Sequence, residues 1–265
     1  VVKVNVMNNT TENGQYFVAA FEPGAEHPAL PTWASRNDNG AELALSAPST
    51  VSKKQLTDVP GAFQLLNVLS ADECQRLISV SETMGFLPDA AVSLPRNVRH
   101  NDSLTWVVDN TTERLIWDRI AGVMTDDLGI FEGKAALGLN NRFRFYRYNE
   151  GDYFKPHSDG SWPGSQVIDG ELVRDAFGDR YSQLTFLILL TEDFEGGATR
   201  FLVNADKPYL PAKHGDNMRK VDVRTPAGSV LCFPHGMHPL HCIHSSEPIF
   251  SGVKYIIRTD VLFEL

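Results

Sequence analysis

Hydrophobic and polar positions alternate in two different textures along this chain. Between Ser70 and Met124 apolar residues recur at helical spacing, whereas from Asn141 onward they fall in short, strand-like runs. Ser70-Ala-Asp-Glu73 has the form of a capping box, in which a serine and a glutamate three residues later satisfy each other's free amides. Cys74, Leu77, Ile78 and Met84 then share one face that closes at Gly85, predicting a helix over Ser70–Met84. Asn110-Thr-Thr-Glu113 reads as a similar start, with Leu115, Ile116, Ile120, Val123 and Met124 behind it, and predicts a helix over Thr111–Met124. Pro88 to Ser103, between them, is a polar loop carrying Arg96, Arg99, His100, Asn101 and Asp102. It is either a solvated connection or a substrate-facing lid.

Past Asn141 the runs are RFRFYRY, which alternates, QLTFLILL, which reads as buried on both faces, SVLCF after a Pro-Ala-Gly turn, and VKYIIRTDVLF. Gly and Pro clusters separate them at the spacing of an all-β sandwich or barrel, and only the irregular segment 160–182 interrupts the series. Helices first and strands second predict one α+β domain with a barrel or jelly-roll core over 61–265. Residues 1–60 are rich in Asn, Thr, Ser, Ala and Pro. VVKVNVM alternates like a strand, but Glu22 to Ser52 reads mostly as loop, so residues 1–60 are expected to be an extension packed on the core.

Composition narrows the function. The 265 residues carry 24 Lys+Arg against 33 Asp+Glu, a net charge of −9. That balance lacks the basic footprint nucleic-acid binding needs. No apolar run approaches the roughly 18 residues of a membrane span. The three cysteines, Cys74, Cys232 and Cys242, form no CxxC and no evident disulfide framework, which favours a reducing compartment. The N-terminus has neither a basic nor an apolar signal region, and a cytoplasmic location is expected. Asn-x-Ser/Thr triplets at Asn8, Asn9, Asn101 and Asn110 carry little weight without a secretory signal.

Two elements could do chemistry. In His157-Ser158-Asp159, residues i and i+2 of an extended segment face one way, so an imidazole and a carboxylate form a two-toothed chelate. The second is FPHGMHPLHCIH, where His235, His238, His241 and His244 lie three apart. Such a tract could bind zinc. Pro234, Gly236 and Pro239, however, break any helix that would align the four rings. One of these histidines, added to His157 and Asp159, would complete the two-histidine, one-carboxylate facial triad of non-haem Fe(II) oxygenases.

His244 is followed by Pro248, Gly252 and Lys254, giving H-x3-P-x3-G-x-K. Together with Tyr148-x2-Gly151-x-Tyr153-x3-His157-x-Asp159, TFLILLTEDFEGGATRF and AGSVLCF, this pattern resembles the prolyl 4-hydroxylase branch of the 2-oxoglutarate- and Fe(II)-dependent dioxygenases. The likeness runs from Ser70 to the end and does not cover the first 60 residues. It implies a double-stranded β-helix in which His157, Asp159 and His244 hold Fe(II). It also implies Lys254 on the distal carboxylate of 2-oxoglutarate, O2 as the second cosubstrate, and ascorbate to keep the iron reduced. The reaction implied is hydroxylation of an unactivated C–H bond coupled to decarboxylation of 2-oxoglutarate to succinate.

Arg258 shares a strand face with Lys254 and Ile256, and related subfamilies use an arginine for the cosubstrate. Four residues of strand span about 13 Å, so the two cations cannot grip one carboxylate. The surrounding SGVKY favours Lys254 and leaves Arg258 as an ion-pair partner or support. Tyr148 either reaches the cosubstrate or forms barrel wall, and Thr185 either adds a hydroxyl to the pocket or packs in the core. Gly196-Gly197 is expected to turn tightly between strands. Trp162 is either a substrate wall or a cap on the barrel, and Arg144 and Arg147 point to opposite sides of their strand and form no basic patch. Related halogenases leave the carboxylate position empty, so Asp159 favours hydroxylation. The rival readings are a zinc hydrolase or zinc-stabilised domain built on His235, His238 and His241, and a non-catalytic jelly-roll binding protein. The substrate, a small molecule or a peptide, is open at this stage, as is the oligomeric state.

Overall fold

A computed structural model describes residues 14–124 and 129–265. Two β-sheets face each other, and two helices cover the outer side of the larger one. The ten-stranded sheet runs Tyr16–Glu22, Leu30–Ser35, Asp102–Val107, Arg142–Tyr148, Lys254–Glu264, Arg180–Leu189, Val230–Pro234, Phe63–Leu66, Ser52–Gln55, with Ala136–Leu139 also paired to Lys254–Glu264. The five-stranded sheet runs Met218–Val223, Thr199–Asn204, His244–Ser246, Tyr153–His157, Arg99–His100. This is the expected α+β architecture with a jelly-roll core.

The alternation in RFRFYRY shows how the strands serve both sides. Phe143 and Phe145 join the core under the helices, together with Trp106, Phe186, Ile188 and Ile257. Tyr146 and Tyr148 point the other way, into a second core shared with Leu187, Leu189, Phe201, Phe233 and Ile256 between the sheets. Because side chains alternate with period two, a one-residue slip would exchange these faces. The register pairs Arg144 with Arg258, Tyr146 with Ile256 and Tyr148 with Lys254.

The first helix, Ala71–Met84, has the predicted capping box: the Glu73 amide donates to Ser70 Oγ and the Ser70 amide to Glu73 Oε2. Glu73 is fully buried and also meets Arg119 of the second helix at 2.8 Å. The second helix, Asn110–Met124, starts one residue earlier than predicted. Its cap is Asp109, which accepts from the Thr112 amide at 2.8 Å and the Thr112 hydroxyl at 2.7 Å. Asp109 also accepts from the Asn39 and Gly40 amides, tying the N-terminal segment to the helix start.

Three features depart from the sequence reading. Leu30–Ser35, expected as loop, is a strand that pairs parallel with Asp102–Val107. It is buried on both faces, so no alternation betrayed it. The segment 160–182 contains a small hairpin, Gln166–Ile168 with Glu171–Val173. Arg99–His100, inside the polar loop, pairs with the strand that ends at His157. The predicted VVKVNVM strand lies outside the described residues. The cysteines are buried and no disulfide joins them.

Glu113, once read as part of a capping box, instead accepts from the Leu139 amide at 2.7 Å. Burial drives its carboxyl from 4.5 up to about 7. Across that window the folded chain keeps a proton the unfolded chain has released, so stability falls as pH rises through it. Glu113→Gln keeps the acceptor and removes the charge. Thermal unfolding should give a higher Tm than the parent at pH 8 and no such gain at pH 4.5; an equal shift at both would contradict the assignment.

Candidate functional site

Two strands of the small sheet bring the first donors together. Tyr153–His157 pairs antiparallel with His244–Ser246, with His157 directly opposite His244. Their rings lie 4.3 Å apart between centroids. Phe154 stacks on His157, and Phe233 packs edge-on against His244. Each imidazole uses Nδ1 on a carbonyl two residues before it: His157 on Lys155 O at 2.8 Å, His244 on Cys242 O at 3.2 Å. Those bonds place the proton on Nδ1 and turn the Nε2 lone pairs into the site.

Asp159 closes the group just past the strand end. Its Oδ1 is 3.7 Å from His157 Nε2 and its Oδ2 3.5 Å from His244 Nε2. Among the described residues these three are the one group of His, Cys, Asp or Glu with donor atoms gathered closely enough to hold a metal ion. Such separations suit a single first-row cation about 2 Å from each donor. The charge states suit it as well. Burial, and then His244, pull the His157 imidazole down to about 3, and burial lowers His244 too, so both rings are neutral, the form in which an imidazole can bind a metal. Burial works to raise Asp159, but Arg258 and the imidazoles outweigh it and hold the carboxyl well below its usual range.

The large sheet orients that carboxylate. The Thr185 hydroxyl donates to Asp159 Oδ2 at 2.8 Å, and Arg258 Nε lies 3.3 Å from the same oxygen. Arg258 also pairs with Asp260 at 3.0 Å. Behind Thr185 stands His235, fully buried, with Nδ1 2.9 Å from the Thr185 hydroxyl and Nε2 2.9 Å from that of Ser182. A consistent proton order runs from Ser182 to His235 to Thr185 to Asp159. Composition and spacing placed His235 in a cluster and gave no sign of this supporting role. The other clustered histidines go elsewhere: His238 bonds Ile130 O, and His241 bonds Gly236 O. The four rings do not converge.

Two cavities meet at the donors. The inner one, about 40 Å³, is lined by Tyr148, Thr185, His244, Lys254, Ile256 and Arg258 among others. Lys254 is 1% exposed, and its Nζ donates to Gly197 O at 2.7 Å and Ser246 Oγ at 3.0 Å. Both partners are neutral, and burial pulls the ammonium down to about 7. Gly197 presents its carbonyl from the Gly196-Gly197 turn, where both residues have positive φ and a Cβ on Gly196 would collide with Pro248 O. The outer cavity, about 240 Å³, adds Val92, Leu94, Arg99, Arg144 and Trp162. The predicted site residues Lys254, Tyr148, Thr185 and Arg258 all line the inner cavity, and of these Thr185 and Arg258 also bond to Asp159. The loop 88–103 contributes to the outer wall, as does Trp162.

No family model and no curated protein sequence matches the chain. Among solved structures it is similar to prolyl hydroxylases and other 2-oxoglutarate/Fe(II) oxygenases. A collagen prolyl hydroxylase of Paramecium bursaria Chlorella virus-1, in complex with 2-oxoglutarate, is 16% identical with a TM-score of 0.44, covering 82% of this chain and 98% of that one. A Trichoplax adhaerens prolyl hydroxylase in complex with a hypoxia-inducible-factor peptide fragment is 14% identical with a TM-score of 0.49, covering 77% and 84%. The carbocyclase SnoK of nogalamycin biosynthesis is 14% identical with a TM-score of 0.47, covering 77% and 80%.

Anaerobic equilibrium dialysis with Fe(II) tests the donor set. One equivalent should be retained by the parent, lost in His157→Ala and His244→Ala, and kept in His238→Ala and His241→Ala. Thr185→Val should weaken retention by about tenfold or more, the usual effect of removing a group that orients a ligand. Retention in His157→Ala would move the metal to another set of residues.

Proposed function

We propose that the chain is an Fe(II)- and 2-oxoglutarate-dependent dioxygenase that hydroxylates an unactivated C–H bond and releases succinate and CO2. One observation carries this reading: two neutral imidazoles and one ionised carboxylate gather at a common point where two cavities meet. Three ligands from the protein leave open positions, as a non-haem Fe(II) oxygenase requires. When bound, Fe(II) supplies the activation of O2 that the protein's own side chains cannot perform. Ascorbate would serve as the external reductant.

The chain's part is to bind, orient and exclude water. Lys254 is a buried cation whose described hydrogen-bond partners are neutral, and burying such a charge is costly. A dicarboxylate reaching into the inner cavity offsets that cost, so Lys254 is assigned to the distal carboxylate of 2-oxoglutarate. Tyr148 lies under the ammonium, 5.2 Å from its ring centroid, and fixes the Lys254 side chain. Leu187, Phe233 and Ile256 give the inner cavity its apolar lining. Arg258 and Thr185 keep Asp159 ionised and aimed, and His235 holds Thr185 in turn.

The same reading assigns residues 61–265 to the catalytic domain and residues 1–60 to an extension on it. The three buried cysteines without a disulfide support a reducing, cytoplasmic setting. No helix among the described residues is long and apolar enough to cross a membrane.

Succinate formation from 2-oxoglutarate under Fe(II), air and ascorbate should occur in the parent and vanish in Asp159→Ala. Lys254→Met should raise the 2-oxoglutarate concentration for half-maximal rate by at least about thirtyfold, the scale of truncating one partner of a buried charge pair. An unchanged 2-oxoglutarate dependence in Lys254→Met, with a large one in Arg258→Met, would transfer the cosubstrate carboxylate to Arg258.

A further inference from the structure

The outer cavity contains a guanidinium with which no carboxylate of the described residues forms an ion pair. Arg144 is 9% exposed and lines this cavity. Among the described residues its side chain makes no hydrogen bond and no ion pair; its guanidinium sits over the Trp162 ring at 5.3 Å. The nearby carboxylates are taken. Asp159 and Asp260 pair with Arg258, and Glu22 pairs with Arg142 at 2.6 Å and Arg174 at 3.2 Å. Arg99, 6% exposed on the same cavity, donates to Asn101 Oδ1 and Ser103 Oγ, both neutral, and lies over the Tyr146 ring at 4.6 Å.

The cosubstrate does not account for these two cations. If Fe(II) and the 2-oxoglutarate dianion are bound, their charges cancel against those of Asp159, Asp260, Arg258 and Lys254. Arg144 and Arg99 are left over. Arg144 stands opposite Arg258 in the strand register, and Lys254 stands opposite Tyr148. Four residues of strand separate the two rows, about 13 Å, so a carboxylate held by Lys254 is out of reach of Arg144. A buried charge without a partner is among the costliest features a fold retains, and its retention in a cavity marks a place for a counter-ion.

We propose that the outer cavity binds the primary substrate through a free carboxylate held by Arg144, with the charge of Arg99 in support. The substrate is then a small organic acid or amino acid with an apolar body, not an internal residue of a polypeptide. The backbone of a peptide interior offers only neutral amides to a guanidinium. Tyr146, Phe154 and Trp162 wall the cavity, and Val92 and Leu94 form its rim, which suits an apolar body. His157 and Asp159 line the same cavity, so a substrate anchored at Arg144 presents its carbon atoms to the donor set. This assignment rests on the iron-oxygenase reading for its charge count and for which end of the barrel the cosubstrate takes.

The test is equilibrium dialysis of radiolabelled phenylacetate and of its neutral isostere phenylacetamide, with saturating Mn(II) and 2-oxoglutarate, whose own retention is measured in the same cells. The parent should retain phenylacetate at least about tenfold more tightly than phenylacetamide. Arg144→Gln should erase that preference, and Arg144→Lys should restore part of it. Equal binding of the two probes, binding of neither, or a preference that survives Arg144→Gln overturns the proposal. If that happens while Mn(II) and 2-oxoglutarate are retained, the oxygenase reading stands. If Mn(II) or 2-oxoglutarate is not retained but the Arg144-dependent preference is present, the anion pocket stands and the oxygenase reading falls. Should Arg144→Gln fail to fold, the two probes on the parent and on Arg144→Lys still decide the matter.

Discussion

The antiparallel pairing of Tyr153–His157 with His244–Ser246 is the constraint on which the rest of the site depends. It sets two imidazoles side by side across one strand gap, although they are far apart in sequence. The carbonyls of Lys155 and Cys242, each two residues before its histidine, then fix both ring orientations. A register slip of one residue would send one imidazole to the other face of the small sheet. Asp159 stands beyond that pairing, and the opposite sheet supplies what the strand cannot. Thr185 and Arg258, on neighbouring strands of the large sheet, reach across to the carboxylate. The donor set therefore exists only where the two sheets close on each other.

Burial of charge explains the next layer. Arg258 lies between Asp159 and Asp260, a row of alternating sign that makes the buried carboxylate tolerable. Lys254 and Arg144 lie near that row without an ion-pair carboxylate of their own among the described residues. A fold that only needed stability would have paired them or replaced them with apolar residues, since an unpaired buried charge opposes folding. The hydrophobic layer between the large sheet and its helices supplies the stabilisation that offsets them. Trp106, Phe143, Phe145 and Phe186 are all buried there, against Leu77, Ile116 and Ile120 of the helices.

Much of this was legible in the sequence because it follows from local periodicity or fixed spacing. The capping box at Ser70, the alternation of RFRFYRY and the His157-x-Asp159 chelate are each written within a few residues. The H-x3-P-x3-G-x-K run singled out His244 among four candidates by resemblance, and the structure brings that histidine alone of the four to His157 and Asp159. What stayed hidden depends on contacts between distant segments. Leu30–Ser35 is buried on both faces and shows no alternation. Asp109 caps the second helix because Asn39 and Gly40 fold back on it, a contact the local Asn110–Glu113 pattern does not encode. The support of Asp159 by Ser182, His235 and Thr185 spans more than fifty positions and could be found only with the two sheets in place. In the sequence, Arg144 and Arg147 stand only as arginines on opposite faces of one strand. The significance of Arg144 lies in forming no ion pair among the described residues, and a sequence does not show partners.

The most direct measurement is a crystal structure with Mn(II) and 2-oxoglutarate, with the metal located by anomalous scattering at its absorption edge. The account predicts one metal bound by His157 Nε2, Asp159 and His244 Nε2, and the distal carboxylate of 2-oxoglutarate on Lys254 Nζ. A metal held by His235, His238 and His241, or a 2-oxoglutarate carboxylate seated on Arg144 with Lys254 left as it stands, would contradict it.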